Sequence, residues 1–412
     1  MPEPKVRFKR DDGSSYPVWN EVVLGDIATR VTRKNSKNET DRPLTIASIE
    51  GLVDQRTYFG KTIASKDMSG YLLLKNGEYA YNKSYSDGYD YGSIKRLDKY
   101  DMGALSTLYI CFALNKDQNT DFYDCYFNGL SWYSQMPQIC AEGARNHGLL
   151  NVSPNDFFKI QLFVPSCKEE QQKIADFLSS VDEVITASEE EVVNLETQKK
   201  AVMKKIFSQE VRFKRADGSD FSEWIIKPIS ELFVKINRRN KDGSCDYVLT
   251  NSAEYGIISQ RDFFEKDIAV KENTNNYYVI SHGDFVYNPR RSKTAPHGPF
   301  QRYNGYEDGI LSPLYTCFSM KTDDDPKYLV YYFKSDLWYP YILENASQGA
   351  RHDRESMTDS VLMGIPVSVP CLEEQRLIAD FLSDFDEAIA AAKKELELWK
   401  ELKKGLLQQM FV

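Results

Sequence analysis

Val6-Arg7-Phe8-Lys9-Arg10-Asp11-Asp12-Gly13-Ser14 returns 205 residues later as Val211-Arg212-Phe213-Lys214-Arg215-Ala216-Asp217-Gly218-Ser219. Working outward, Trp19 matches Trp224 and Arg33-Lys34-Asn35 matches Arg238-Arg239-Asn240 at that offset. Gln55-Arg56 likewise matches Gln260-Arg261. Gly77-Glu78-Tyr79-Ala80-Tyr81-Asn82 answers Gly283-Asp284-Phe285-Val286-Tyr287-Asn288 at 206. Further on, Gly143-Ala144-Arg145 answers Gly349-Ala350-Arg351. Finally Glu169-Glu170-Gln171 and Ile174-Ala175-Asp176-Phe177-Leu178-Ser179 answer Glu373-Glu374-Gln375 and Ile378-Ala379-Asp380-Phe381-Leu382-Ser383 at 204. A period of roughly 20–50 residues would signal a solenoid. A period this long duplicates whole domains.

Each copy has two parts. The stretches 20–166 and 225–370 read as mixed α/β. Tyr71 to Asn82 carries apolar residues on both sides of Asn76-Gly77, a hairpin signal. Leu108–Leu114 and Gln161–Val164 read as short buried strands, and Pro165 and Pro370 close the domains. Beyond each of these prolines runs a heptad stripe. Ile174, Leu178, Val181, Ile185, Ser188, Val192, Leu195, Lys199, Val202 and Ile206 are spaced alternately four and three. The second copy keeps the register with Ile378, Leu382, Phe385, Ile389, Ala392, Leu396, Trp399, Lys403, Leu406 and Met410. Such a stripe reads as a helix-on-helix seam rather than as a face packed on the two domains, because no other partner has its length. The polar exceptions Lys199 and Lys403 occupy equivalent places, where a polar residue fixes register. At 1.5 Å per residue, helices of about 38 residues run about 57 Å, or roughly 17 base pairs of B-DNA.

The 412 residues carry a net charge of −9. Residues 168–208 hold 6 Lys/Arg against 9 Asp/Glu, and residues 372–412 hold 6 against 9 again, so the helices account for −6. The remaining domains are close to neutral and free to present a basic face. No apolar run approaches the roughly 18 residues of a membrane span. The N-terminal stretch lacks the apolar core of a secretory signal. Seven scattered cysteines, with no Cys-x-x-Cys, indicate neither a disulfide framework nor a zinc site. A cytoplasmic location is expected. No Gly-x-Gly-x-x-Gly or Gly-x-x-x-x-Gly-Lys-Ser/Thr loop is present to cradle a nucleotide. Asn288-Pro289-Arg290-Arg291 lacks the aromatic that would clamp a flipped base, and Glu401-Leu402-Lys403 lies in the helical seam, where no metal-binding carboxylate partner is placed.

The Cys167–Leu178 stretch (Lys168-Glu169-Glu170-Gln171 leading to Ile174-Ala175-Asp176-Phe177-Leu178) and its counterpart Leu372–Leu382 resemble the specificity subunit of type I restriction–modification systems. Trp19 followed by Leu24-Gly25-Asp26-Ile27 is also typical, and the second copy reads Ile229-Ser230-Glu231-Leu232 after Trp224. The resemblance covers essentially the whole chain. It implies an α+β protein of pseudo-twofold tandem repeat, with target-recognition domains at 1–166 and 211–370. Two long helices, 167–210 and 371–412, would form an antiparallel coiled coil acting as spacer. Each domain would read one half of a split double-stranded DNA site. The helices would set the gap and dock two methylation subunits, which restriction subunits join. S-adenosylmethionine, ATP and magnesium would serve those partners, and this chain would be non-catalytic.

Base readout wants Arg, Lys, Asn and Gln on loops, with further Lys and Arg on phosphates. Arg290, Arg291 and Lys293, followed by His297, form the densest basic patch; the equivalent loop in copy one holds Lys83, Ser84, Tyr85 and Ser86. Arg145-Asn146 and Arg351-His352, each behind a Gly-Ala, form a second candidate pair, for which an ordinary turn is an equal alternative. Arg33-Lys34 and Arg238-Arg239 read better as solvated helix ends than as phosphate clamps. Most of the 26 Tyr and 22 Phe, which alternate on strand-like segments, and Cys111 and Cys317, read as core rather than as a stacking surface. Two other readings stay open: a coiled-coil scaffold that never touches DNA, and a stand-alone DNA enzyme.

Overall fold

The structure is a computed structural model describing residues 3–411 apart from 49, 62, 87, 141–149, 264–273 and 347–352. It falls into two compact units. The first comprises 1–190 together with 393–412, and the second 191–392. Each unit is therefore built mainly from one repeat and finished by a helix end from elsewhere in the chain.

In the first unit, a four-stranded antiparallel sheet runs in the order Ala28–Arg30, Ile110–Leu114, Tyr79–Asn82, Ser93–Arg96. Helix Thr120–Asn128 packs beside it, started by Asn119, whose side chain accepts from Phe122 N. Tyr79, Tyr81, Phe112, Phe127, Trp132 and Phe157 fill the space between as one aromatic core. A smaller core of Leu44, Ile46, Leu52, Leu74 and Leu105 lies under two two-stranded ladders, Leu44–Ala47 with Gly51–Asp54 and Leu72–Lys75 with Met102–Leu105. Asn20–Val23 pairs with Gln161–Val164 just before the long helix. The second unit repeats this plan, its sheet running Phe233–Lys235, Thr316–Met320, Phe285–Tyr287, Phe300–Arg302. The expected burial of Cys111 and Cys317 holds, and so does that of the aromatics on the large sheets and the helices beside them, whereas Tyr58, Tyr85, Tyr255 and Tyr306 are exposed.

The Asn76-Gly77 turn forms, with Gly77 at φ 79°, but it does not make the expected hairpin. Leu72–Lys75 pairs with Met102–Leu105, whereas Tyr79–Asn82 joins the large sheet. The reason is local. Asn76 Nδ2 donates to Asp98 O and Tyr100 O, and Gly77 N donates to Leu97 O, so the turn is fastened to another connection and its two arms part.

The long helices are Lys168–Phe207 and Leu372–Met410. Paired glutamates in each first turn complement the helix dipole. Every heptad position of both stripes is buried or half-buried. In the first unit, Met410 and Phe411 share a core with Ile174 and Leu178, Lys403 pairs with Asp182, and Lys400 reaches Glu189 at 2.9 Å. One helix therefore descends as the other ascends. In the second unit, Ile206 and Phe207 share a core with Ile378 and Leu382, and Lys199 Nζ lies 2.5 Å from Asp386 Oδ1. The seam is antiparallel, and its two lysines are neutralised by equivalent aspartates.

The duplicated Val-Arg-Phe-Lys-Arg motif finds its role here. Arg7 Nε and Nη2 donate to the two carboxylate oxygens of Glu170 at 2.7 and 3.0 Å, and the Trp19 indole adds a third bond at 3.2 Å. Arg212, Glu374 and Trp224 repeat the arrangement. Both glutamates are fully buried, which requires such complete pairing. No helix among the described residues is long and apolar enough to cross a membrane.

Candidate nucleic-acid interface

The strongest basic candidates sit on a loop whose frame occurs twice. Residues 83–92 leave the strand Tyr79–Asn82 and return into Ser93–Arg96; residues 289–299 leave Phe285–Tyr287 by way of Asn288 and return into Phe300–Arg302. Gly92 and Gly298 close the two loops at φ 79° and 83°. At each, a Cβ would stand 2.0 Å from a backbone oxygen, of Asn82 and of Asn288 respectively, so only glycine fits. The Tyr81 hydroxyl donates to Tyr91 O and the Tyr287 hydroxyl to His297 O, both at 2.8 Å. At the loop entrances, Ser84 N donates to Asn82 Oδ1 and Arg290 N to Asn288 Oδ1, both at 3.0 Å. The closing glycine, the tyrosine bond and the entrance bond recur in both frames, while the side chains they carry differ.

In the second unit the frame carries charge. Arg290 and Lys293 are exposed, and neither side chain has a hydrogen-bond or ion-pair partner among the described residues. Arg291 is engaged. Its Nε and Nη2 donate to Glu355 at 2.7 and 2.9 Å, and His297 Nδ1 lies 2.8 Å from the same carboxylate. Glu355 is 2% exposed. Burial would raise its pKa, but the hydrogen bonds from Arg291 and His297 outweigh it and hold the carboxyl below its ordinary range. The carboxylate in turn pushes the Arg291 guanidinium up. In the first unit Lys83 is half-buried; burial pushes its ammonium down, and nearby Arg30 adds to the shift.

The 353–355 segment runs against this loop. Arg291 N donates to Asp353 O at 2.9 Å, Glu355 N to Pro289 O at 2.8 Å, and Arg290 bridges Arg354. Leu150 N donates to Lys83 O at 2.8 Å in the same way. The described residues Leu150 and Asp353–Glu355 therefore adjoin the two loops, whereas the candidates Arg145, Asn146, Arg351 and His352 lie outside the described residues. Arg354 is a basic neighbour that the sequence reading passed over; the run Arg351-His352-Asp353-Arg354 carried the signal. Nothing in the sequence pointed to the pairing of Glu355 with Arg291, 64 residues apart.

The Arg33 and Arg238 pairs are not helix ends. They lie in extended segments after Ala28–Arg30 and Phe233–Lys235, bridging Leu72 and Tyr278 through Lys34 and Arg239. Arg33 binds Glu78 at 2.7 Å and Arg238 binds Asp308 at 2.7 Å. Arg239 lies over the Tyr278 ring at 3.6 Å. These cations fasten ladders together. His282 is exposed on a turn, its Nδ1 3.1 Å from Gly305 O. No group of three or more His, Cys, Asp or Glu suited to a metal occurs among the described residues.

Duplicated α/β units with paired long helices and divergent loop tips define a tandem-repeat protein built around two matched presenting surfaces. Residues 222–398 match the family described as type I restriction modification DNA specificity domain. Over 97% of its length the chain is 25% identical to the type I restriction enzyme MjaVIII specificity subunit of Methanocaldococcus jannaschii, covering 94% of that protein. A solved chain from work on complex assembly and conformational transition of the type I R-M system shares the fold, with TM-score 0.55 and 17% identity. That similarity covers 96% of this chain and 98% of the other. The resemblance to type I specificity subunits is therefore borne out: residues 222–398 of the second repeat match that family's model, and the first repeat has the same architecture.

Proposed function

We propose that the chain is the non-catalytic, sequence-specific DNA-binding subunit of a type I restriction–modification complex. The observation that carries this is the twice-built loop frame: the same closing glycine and entrance bonds present Arg290, Arg291 and Lys293 in one repeat and Lys83, Ser84 and Tyr85 in the other. A frame held constant while its tips diverge suits two domains that read different halves of a split site. In this reading 1–166 and 211–370 are target-recognition domains, and 167–210 and 371–412 are spacer helices that set the gap and dock two methylation subunits. Restriction subunits join them, and S-adenosylmethionine, ATP and magnesium are used by those partners in the cytoplasm. Arg145, Asn146, Arg351 and His352 belong to the DNA-facing set with Lys83, Arg290 and Lys293, and Arg291 belongs to it as the residue that holds the loop against Glu355.

The test is reconstitution with the methylation subunits and mapping of methylated adenines. A two-part motif with a fixed gap is expected. Methylation spread evenly over unrelated sequences would overturn the proposal. If the chain is only a scaffold, Arg290→Glu with Lys293→Glu leaves the motif and its rate of methylation unchanged.

A further inference from the structure

The three basic residues of the 289–298 loop are chemically unequal. Arg291 is held on both sides of its carboxylate partner, with Glu355 buried behind it and His297 sharing an oxygen. Its backbone is fixed too, through Arg291 N to Asp353 O. Arg290 has the opposite arrangement. Its backbone is pinned by Asn288 Oδ1 and by the bridge to Arg354, yet its guanidinium is exposed and unpaired among the described residues. A planar fork on an immobilised backbone is what two parallel bonds to one base edge require. Lys293 sits at the tip, beside the Ser292 N to Ala295 O turn, as a single charge on a long rotatable stem. That chemistry suits a phosphate.

Resting on the proposed DNA-reading function, we infer that Arg290 is the specificity-determining residue that recognises a guanine, through O6 and N7 in the major groove, in the half-site read by the second unit. A guanidinium offers only donors, and guanine alone presents two acceptors side by side there. Arg291 and Glu355 are positioning residues that brace Arg290 without touching a base. Lys293 contacts a phosphate and carries no sequence information. In the first unit Ser84 occupies the place of Arg290, with the same bond from its N–H to the preceding asparagine. Its hydroxyl both donates and accepts, so that place makes no demand for guanine.

The experiment uses the full chain assembled with its methylation subunits, with methylated adenines mapped genome-wide for wild type, Arg290→Ala, Lys293→Ala and Ser84→Arg. The half-site that a variant leaves untouched serves as the internal control. Arg290→Ala should relax one guanine position in one half-site by about 10- to 100-fold, leaving the other half-site and the gap intact. Lys293→Ala should keep every letter and lower the salt dependence of DNA binding by about one unit of slope. Ser84→Arg should add a guanine preference in the opposite half-site; if that variant fails to assemble, Arg290→Ala decides alone. A wild-type two-part motif that Arg290→Ala leaves unchanged would overturn this inference while sparing the proposed function. Absence of any two-part motif in wild type would overturn the function itself.

Discussion

Gly298 and Gly92 each hold a conformation that side-chain-bearing residues rarely adopt, against a carbonyl that a Cβ would strike. Gly298→Ala or Gly92→Ala should cost about 2–4 kcal/mol, read as a lowered urea midpoint, because the strand behind each loop must shift. Glu355 makes a second residue-level prediction. Its carboxyl is held low in the folded state, so the stabilisation is complete above the ordinary carboxylate range and is lost as pH falls through the folded value. Wild type should therefore exceed Glu355→Gln by about 1 kcal/mol at pH 7, a modest figure because Arg291 is half in water. The gap should narrow as pH falls below the ordinary carboxylate range in parallel thermal melts; a gap that does not change with pH would show that the ionised carboxylate contributes nothing to it. At this scale the sequence was half legible. The basic run at 290–293 is plain to see, but the partner that takes Arg291 out of it lies 64 residues on and is recruited by the fold alone.

Among the elements, the long helices were the most legible, since a heptad repeat is local and every one of its twenty positions turns inward. The hairpin was misread because a turn signal fixes a reversal of the chain, not the sheet each arm joins. Asn76 bonds to Asp98 and Tyr100, and no local pattern announces that. The helix seam offers a clean test. Lys199 and Asp386 should couple by about 1 kcal/mol in a double-mutant cycle with Lys199→Met and Asp386→Asn, and Lys403 with Asp182 by a similar amount. Strict additivity of the single changes in urea unfolding would show that the seam is held by its apolar positions only.

On the scale of the molecule, each unit's core is completed by a helix end. Phe411 packs against Phe122 and Tyr126 in the first unit, and Phe207 against Tyr328 and Tyr332 in the second. Phe411→Ala should destabilise the first unit by about 3 kcal/mol, although it lies at the far end of the other repeat's sequence. Hydrogen exchange should quicken at Tyr79–Asn82 and Ile110–Leu114 and leave Phe285–Tyr287 protected. Phe207→Ala should do the reverse. The duplication was legible, but the exchange of helix ends was not, because equal repeats fit equally well with their own helices or each other's.

Val6 N bonds to Gln409 O, as Val211 N bonds to Lys205 O. The entry to the first repeat lies at the end of the second helix just as the entry to the second lies at the end of the first. Each repeat's entry is thus fastened beside the end of a long helix, by a backbone bond in one case and by chain continuity as well in the other. A gene that begins at Val211, runs through Phe411, continues across Glu3-to-Lys5 and stops at Gln209 should encode a working rearranged chain. Ribosomal order, in that case, is a matter of genetic history and not of folding.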